Sequence, residues 1–226
     1  MESLCRQIPP RDEWELIVFE ERHDEQLGEA FFRSYERRLQ KAGCARLWYL
    51  TSDDKFSLSE KWVTIARRAS ITSEYFCLCA ADNYYDQHML CEAERDIETN
   101  DWCVTPRGYF YDLMLDKVTR YEAMLLVGLQ MTAKTDMVAQ FAGEKINKRV
   151  DMWFSEKMGM KGSIMINNHW EGILCTQGLN NISKERHQLI VECEPPFYKT
   201  KKKLQDIVPE EIYKRLKTLS RCLKLQ

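Results

Sequence analysis

The stretch SEYFCLCAADNYYD, residues 73–86, decides how the chain is read. Phe76, Cys77, Leu78 and Cys79 form an unbroken apolar run, Ala80-Ala81 lets the backbone pass closely, and Asp82-Asn83 stops it. A strand apolar on both faces belongs inside a parallel sheet covered by helices. Ligands of open α/β sheets sit outside the carboxyl ends of the strands, which is where Asp82 falls. Asp and Asn also favour turns that open a helix, so the same pair is readable as a polar turn without chemistry.

Outward from this stretch the pattern repeats. Residues 14–19 (WELIVF) read as a strand running into Glu20-Glu21. Residues 24–42 read as one helix, with Leu27, Ala30, Phe31, Tyr35 and Leu39 at helical spacing and Gly43 as its stop. A short strand at 47–50 follows. The next helix, at 59–70, turns Trp62, Ile65, Ala66 and Ala69 inward and Lys61, Arg67 and Arg68 outward. Beyond the central strand come a helix at 84–98, a strand at 102–106 and an irregular aromatic stretch at 109–121. Residues 124–132 are apolar, and 134–137 look like a helix start. A helix at 150–158 carries Asp151 in its first turn, and short strands at 163–166 and 172–175 flank Asn167-Asn168-His169-Trp170. Residues 178–183 are a polar loop. Strands alternating with helices predict βαβ units and an α/β, mostly parallel sheet flanked by helices.

The bulk numbers fit one sizeable core: 226 residues, 44% hydrophobic and 30% charged. A net charge of −2 gives no global basic field for nucleic acid. Residues 199–226 hold nine Lys/Arg against three Asp/Glu, which leaves −8 for residues 1–198. This tail reads as an amphipathic helix from Pro209, with Ile212, Leu216, Leu219 and Leu223 as its apolar stripe. It either packs on a domain of residues 1–198 or touches an anionic membrane or polymer peripherally. The nine cysteines are scattered without a CxxC pair, which suits free thiols in a reducing cytoplasm. Residues 1–10 (MESLCRQIPP) show no basic n-region followed by an apolar h-region, and the longest apolar run is too short to span a bilayer, so a soluble intracellular protein is expected.

Residues 1–103 resemble the nucleotide-binding half of the GT-A glycosyltransferases of family 2. The resemblance rests on ESLCRQIPPRDEWELIVFEE, on KWVTIARRASITSEYF and on the triplet Ala80-Ala81-Asp82 at the family's DXD position. With 134–153 it covers about two thirds of the chain. The family's opening strand has no counterpart, since the sequence starts within the helix that follows it. Ala80 stands where the first DXD carboxylate would be, and of the acidic pair near a later helix start only Asp151 is present.

The resemblance implies transfer of a sugar from a nucleoside-diphosphate sugar to a glycan or other hydroxyl acceptor, with inversion. Glu20, Glu21, Lys61, Ala81 and Asp82 would face the donor. Asp82, joined by His169, would hold Mn²⁺ or Mg²⁺, which neutralises the leaving diphosphate. Asp151 would be the general base, and Trp153 and Trp170 would stack on the acceptor. Each has a plainer reading: strand-end carboxylates, a helix-start Asp favoured by the dipole, a loop histidine, core tryptophans. Ala80 and the absent strand also motivate a second class of function, a GT-A-like binding or scaffold module without catalysis. A partner chain supplying the absent strand would make the protein an oligomer. A nucleotidyltransferase would need a Gly-rich phosphate loop with a basic residue near the N-terminus, and nothing here matches it.

Overall fold

Residues 14–19 fold as the strand their apolar run predicts. In the computed structural model, which describes residues 1–24, 26–69, 71–123, 129–141, 145–147, 150–159, 164–167, 170–177 and 189–224, β1 (Trp14–Glu21) pairs in parallel with β2 (Cys44–Ser52), Val18 opposite Tyr49. Two short helices, α1 (Gly28–Arg33) and α2 (Glu36–Lys41), replace the single helix expected between them. Ser34 breaks it: its Oγ donates to the Phe31 carbonyl at 2.6 Å, the acceptor a continuing helix would offer Tyr35. The break also changes the inward face. Phe32 and Leu39 are buried, whereas Leu27 and Phe31 are exposed. Gly43 ends α2 with φ 87°, a conformation that favours glycine, and a Cβ there would stand 2.9 Å from Pro9 Cβ.

Helix α3 (Leu58–Ala69) starts at a capping box that the sequence also spells as Ser-x-x-Glu. Ser57 Oγ accepts the Glu60 N–H at 3.3 Å, and the Glu60 carboxylate accepts the Ser57 N–H at 2.8 Å. The central stretch then makes two strands, β3 (Tyr75–Leu78) and β4 (Asn83–Tyr85). There follow α4 (Met89–Ile97), β5 (Trp102–Thr105), β6 (Arg107–Asp112), β7 (Lys117–Glu122), β8 (Gln130–Lys134), α5 (Thr135–Ala139), α6 (Val150–Gly159), β9 (Ile164–Ile166), β10 (Ile173–Gln177), β11 (Phe197–Tyr198) and α7 (Glu210–Lys224).

Among the described residues the expected mostly parallel sheet is corrected to one parallel pair and two sheets of mixed direction. Beside β1-β2 stand β3-β8-β5-β9 and β11-β7-β6-β10-β4. Of the eight pairings among the described residues, five are antiparallel. β8, which runs back between β3 and β5, makes two of them, and the pairs β10-β4, β11-β7 and β6-β7 make the other three. Apolar strands carry no mark of their direction in sequence, so periodicity could not reveal it. The aromatic stretch expected to be irregular is the β6-β7 hairpin. Tyr109 and Tyr111 face one apolar cluster and Phe110 the other, as strand alternation requires. Its turn is held by Asp112 Oδ1, which accepts the Met114 and Leu115 amides at 2.9 Å, and by Asp116 at φ 57°, a conformation that Asp tolerates.

Among the described residues three apolar clusters result. In one, Val63, Ala66 and Ala69 of α3 cover Phe76, Trp102, Met131 and Phe154. Trp102 is wholly buried there. Another gathers Phe32, Leu39, Tyr85, Met89, Phe110 and Trp170. In the third, Ile212 and Leu216 of α7 pack on Tyr109, Tyr111 and Leu174. The tail stripe differs from expectation: Leu219 is exposed and Ser220 is buried, its Oγ donating to the Leu113 carbonyl at 2.5 Å. Tail charges also meet the body, Arg215 with Glu2, Lys217 with Asp116 and Glu211 with Arg6. Among the described residues no helix is long and apolar enough to cross a membrane.

Candidate functional site

Two contacts orient α3. Thr72, just past its end, donates to Glu15 near the start of β1 at 2.9 Å, and Lys61, in its first turn, pairs with Glu21 at the end of β1 at 3.2 Å. Helix α3 therefore runs back along β1, and β3 sets out from the same edge as β1. Because β8 is antiparallel to both β3 and β5, and β9 is parallel to β5, the strands β1, β3, β5 and β9 all end on one edge. Residues 145–147 cross α3 at this edge. Ile146 exchanges hydrogen bonds with Ser59, and Asn147 Oδ1 accepts the Leu58 amide at 3.0 Å. The chain then enters α6, whose Phe154 packs on Trp62 of α3 at 5.1 Å. The first turn of α6, with Asp151 in it, thus stands at the carboxyl edge.

Residues expected to face a donor are heavily engaged. Glu20 accepts the Leu27 and Gly28 amides at 2.9 and 3.0 Å and the Tyr49 hydroxyl at 2.8 Å. Burial pushes its pKa up, but these three donors outweigh burial and hold it below its ordinary 4.5. Glu21 accepts the Phe56 amide at 2.7 Å, which with Lys61 holds its pKa down against burial. In the first turn of α3 the amides of Leu58, Ser59, Glu60 and Lys61 all have protein acceptors, so this helix start is not an open phosphate cradle. Arg67, expected on the outward face, ties α3 to the Ala139 carbonyl.

A depressed carboxylate pKa stabilises above the unfolded value and stops doing so as pH falls through the folded one. Glu20→Gln is accordingly expected to destabilise by about 1 kcal/mol near neutral pH. The gap to wild type should close as pH falls below 4.5. Urea unfolding at a series of pH values measures this, and a gap independent of pH would contradict it.

Asp82 sits on a separate support. Its turn is exposed, with Ala80 and Ala81 beside it. Thr176 of β10 donates to the Asp82 carbonyl at 2.8 Å, and the Ala80 amide donates to the buried Tyr85 hydroxyl at 2.8 Å. The two tryptophans lie in different clusters. Trp153 of α6 meets Phe141 and Phe154 edge to face. Trp170 is 8% exposed in the cluster of Tyr85 and Met89, with its Nε1 donating to Asp86 Oδ2 at 3.1 Å. Trp170, expected to stack on an acceptor, is thus placed as a core group among the described residues. His169, the side chain of Asp151 and the loop 178–183 lie outside the described residues.

Sequence reading missed a buried polar chain beneath this edge. Asn167, wholly buried at the end of β9, donates through Nδ2 to Asp96 Oδ2 of α4 at 2.6 Å and accepts the Trp170 amide at 3.1 Å. Asp96 also accepts the Cys103 thiol at 3.3 Å, and Arg95 lies 3.6 Å from its second oxygen. Burial, then Asp96, pushes the Cys103 pKa up and keeps that thiol a donor. A polar residue at an inward helical position was the available signal for Asp96. Two open hollows of about 410 and 460 Å³, both lined by Lys134 and Asp136, lie at the opposite edge of the sheet.

No family model matches the chain, and no curated protein matches it. Among solved structures, a protein provisionally assigned as a nucleotide-diphospho-sugar transferase from Desulfovibrio desulfuricans G20 aligns at TM-score 0.45 and 11% identity over 92% of this chain and 77% of its own. HddC from Yersinia pseudotuberculosis aligns at TM-score 0.44 and 8% identity, over 67% of this chain and 68% of its own. HddC complexed with GMP-PN aligns at TM-score 0.41 and 7% identity, over 62% and 64%. Likeness at this level fixes neither family nor activity.

Proposed function

We propose that the chain is a glycosyltransferase that moves a sugar from a nucleoside-diphosphate donor to a hydroxyl acceptor by single displacement, inverting the anomeric centre. The observation that carries this reading is the shared edge. The first turn of α6, with Asp151, opens where β1 and β3 end, and the exposed turn after β3 carries Asp82. Asp151 is assigned the general base that takes the acceptor proton. Asp82 is assigned to the donor diphosphate and its cation, with His169 as a further ligand and Trp153 on the acceptor side. A divalent cation bound with the diphosphate supplies neutralisation of the charge that grows on the leaving group. Among the described residues no three His, Cys, Asp or Glu side chains gather to hold such an ion. The donor set fits a cation carried in by phosphate oxygens, with one carboxylate and water completing its shell.

A second reading, a nucleotide-binding or scaffold module without catalysis, is favoured by Ala80 and by the engagement of Glu20, Glu21 and Lys61 in loop anchoring. Thermal unfolding with a panel of nucleoside diphosphates, with and without Mn²⁺, tests the donor site. Ligand at 100 times its dissociation constant adds about 2.7 kcal/mol, a rise of roughly 5–11 °C at this chain length. A metal-dependent shift supports donor binding; no shift with any nucleotide retires the donor site. Asp82→Asn should then lower transfer about 100-fold and Asp151→Asn about 1,000-fold. Transfer at the wild-type level in both would overturn their assignment.

A further inference from the structure

Cys77 and Cys79 stand two residues apart at the end of β3, so their side chains leave the same face. Their sulfurs are 3.9 Å apart, neither is in a disulfide, and both are half-buried. Gln130 Nε2 of β8 donates to Cys77 Sγ at 2.7 Å. The Cys79 thiol, and then Gln130 and Thr132, hold the Cys77 pKa below its ordinary 9.0 although burial opposes them. The same hydrogen bond, and burial, hold Cys79 high. One sulfur is thus set to attack and the other to follow.

We propose that Cys77 and Cys79 are a peroxide-oxidisable dithiol pair whose closure to a disulfide contracts the end of β3 and shifts the Ala80-Ala81-Asp82 turn. Cys77 thiolate attacks the O–O bond of a hydroperoxide; an S–O bond forms, and the leaving oxygen departs protonated. Cys79 sulfur then attacks Cys77 sulfur, forming the S–S bond and breaking S–O, and the hydroxyl leaves as water with the Cys79 proton. With hydrogen peroxide, two thiols yield one disulfide and two waters.

Geometry couples this chemistry to the turn. Alternate residues of a strand lie about 6.5 Å apart, whereas disulfide Cα–Cα spans centre on about 5.5–6 Å. The ladder from β3 to β8 ends at Leu78 opposite Met131, so Cys79 can move without breaking it. The displacement passes into Ala80, whose amide holds Tyr85 and whose carbonyl accepts the Asn83 amide at 3.3 Å. The linkage stands apart from the donor-site reading, and only its effect on nucleotide rests on that reading.

The test uses the full chain treated with hydrogen peroxide and then alkylated. Proteases cutting after Glu and before Asp release residues 75–81, which contain Cys77 and Cys79 and no other cysteine. The expected peptide is unalkylated and lighter by two hydrogens, and dithiothreitol reverses both changes. In Cys79→Ser, dimedone should trap a sulfenic acid on Cys77. Alkylation of both cysteines after peroxide, or linkage of Cys77 to Cys5, Cys91 or Cys175, overturns the pair. Hydrogen exchange reads the turn: the Asn83 amide should exchange severalfold faster in the oxidised protein, and unchanged exchange overturns the displacement. A reversible disulfide with faster Asn83 exchange, but no nucleotide response in either redox state, upholds the pair and retires the donor-site reading.

Discussion

Gly172→Ala is expected to destabilise the protein by about 3 kcal/mol, more than any surface substitution in the chain. A Cβ at this position would stand 2.1 Å from Asp86 Oδ2 and 2.4 Å from Trp170 Nε1. Neither neighbour yields cheaply. Asp86 is fixed at one oxygen by the His88 amide at 2.8 Å and at the other by the Trp170 indole. The Asp86 amide is itself bonded to the Gly172 carbonyl at 2.8 Å, so the strands cannot separate at this point. An added methyl must break the indole–carboxylate bond or push Trp170 out of a core it shares with Tyr85 and Met89. Urea unfolding followed by tryptophan fluorescence measures the loss. Asp86→Ala in the Gly172→Ala background removes one obstruction, so the double variant should be more stable than the sum of the two single losses. Additive losses would show that the methyl does not meet Asp86.

Asn167→Leu is expected to cost about 3 kcal/mol as well, for an electrostatic reason. The leucine fits an apolar surrounding but donates nothing to Asp96, a carboxylate 3% exposed on α4. Asp96 would keep the Cys103 thiol and the Arg95 guanidinium at 3.6 Å, and the Trp170 amide would lose its acceptor. Removing one partner of a buried charged hydrogen bond leaves the desolvation of the other uncompensated. The comparison with Asp96→Leu is instructive. In the double variant neither polar group remains, and part of the loss should return, as a coupling of about 1–3 kcal/mol. Denaturant midpoints of the four proteins give that number, and a coupling near zero would mean that Asn167 acts through shape alone.

Both predictions concern the residues around Asn167-Trp170, which sequence reading treated as a loop between short strands. Composition and periodicity carried the elements well. The runs WELIVF and YFCL are strands, Gly43 stops α2, the stripe of α3 faces inward, and so do Ile212 and Leu216 of α7. Such features depend on neighbours in sequence, and local apolar spacing encodes them directly. The break at Ser34 is also local, but Ser is compatible with either outcome until the hydroxyl finds the Phe31 carbonyl.

Local sequence therefore carries the class of molecule: an α/β chain with scattered cysteines, a strand that stops short of Asp82, a helix with Asp151 in its first turn, and a cationic amphipathic tail. What only tertiary structure decided is partnership. The direction of β8, the assembly of Tyr109–Tyr111 into a hairpin, the burial of Trp170 and the bonds of Glu20 and Glu21 all join residues distant in the chain. A carboxylate at a strand end has the same identity whether it meets water, a cation or a backbone amide. Its chemistry is fixed by whichever group the fold brings within hydrogen-bonding distance, and no spacing along the chain records that choice.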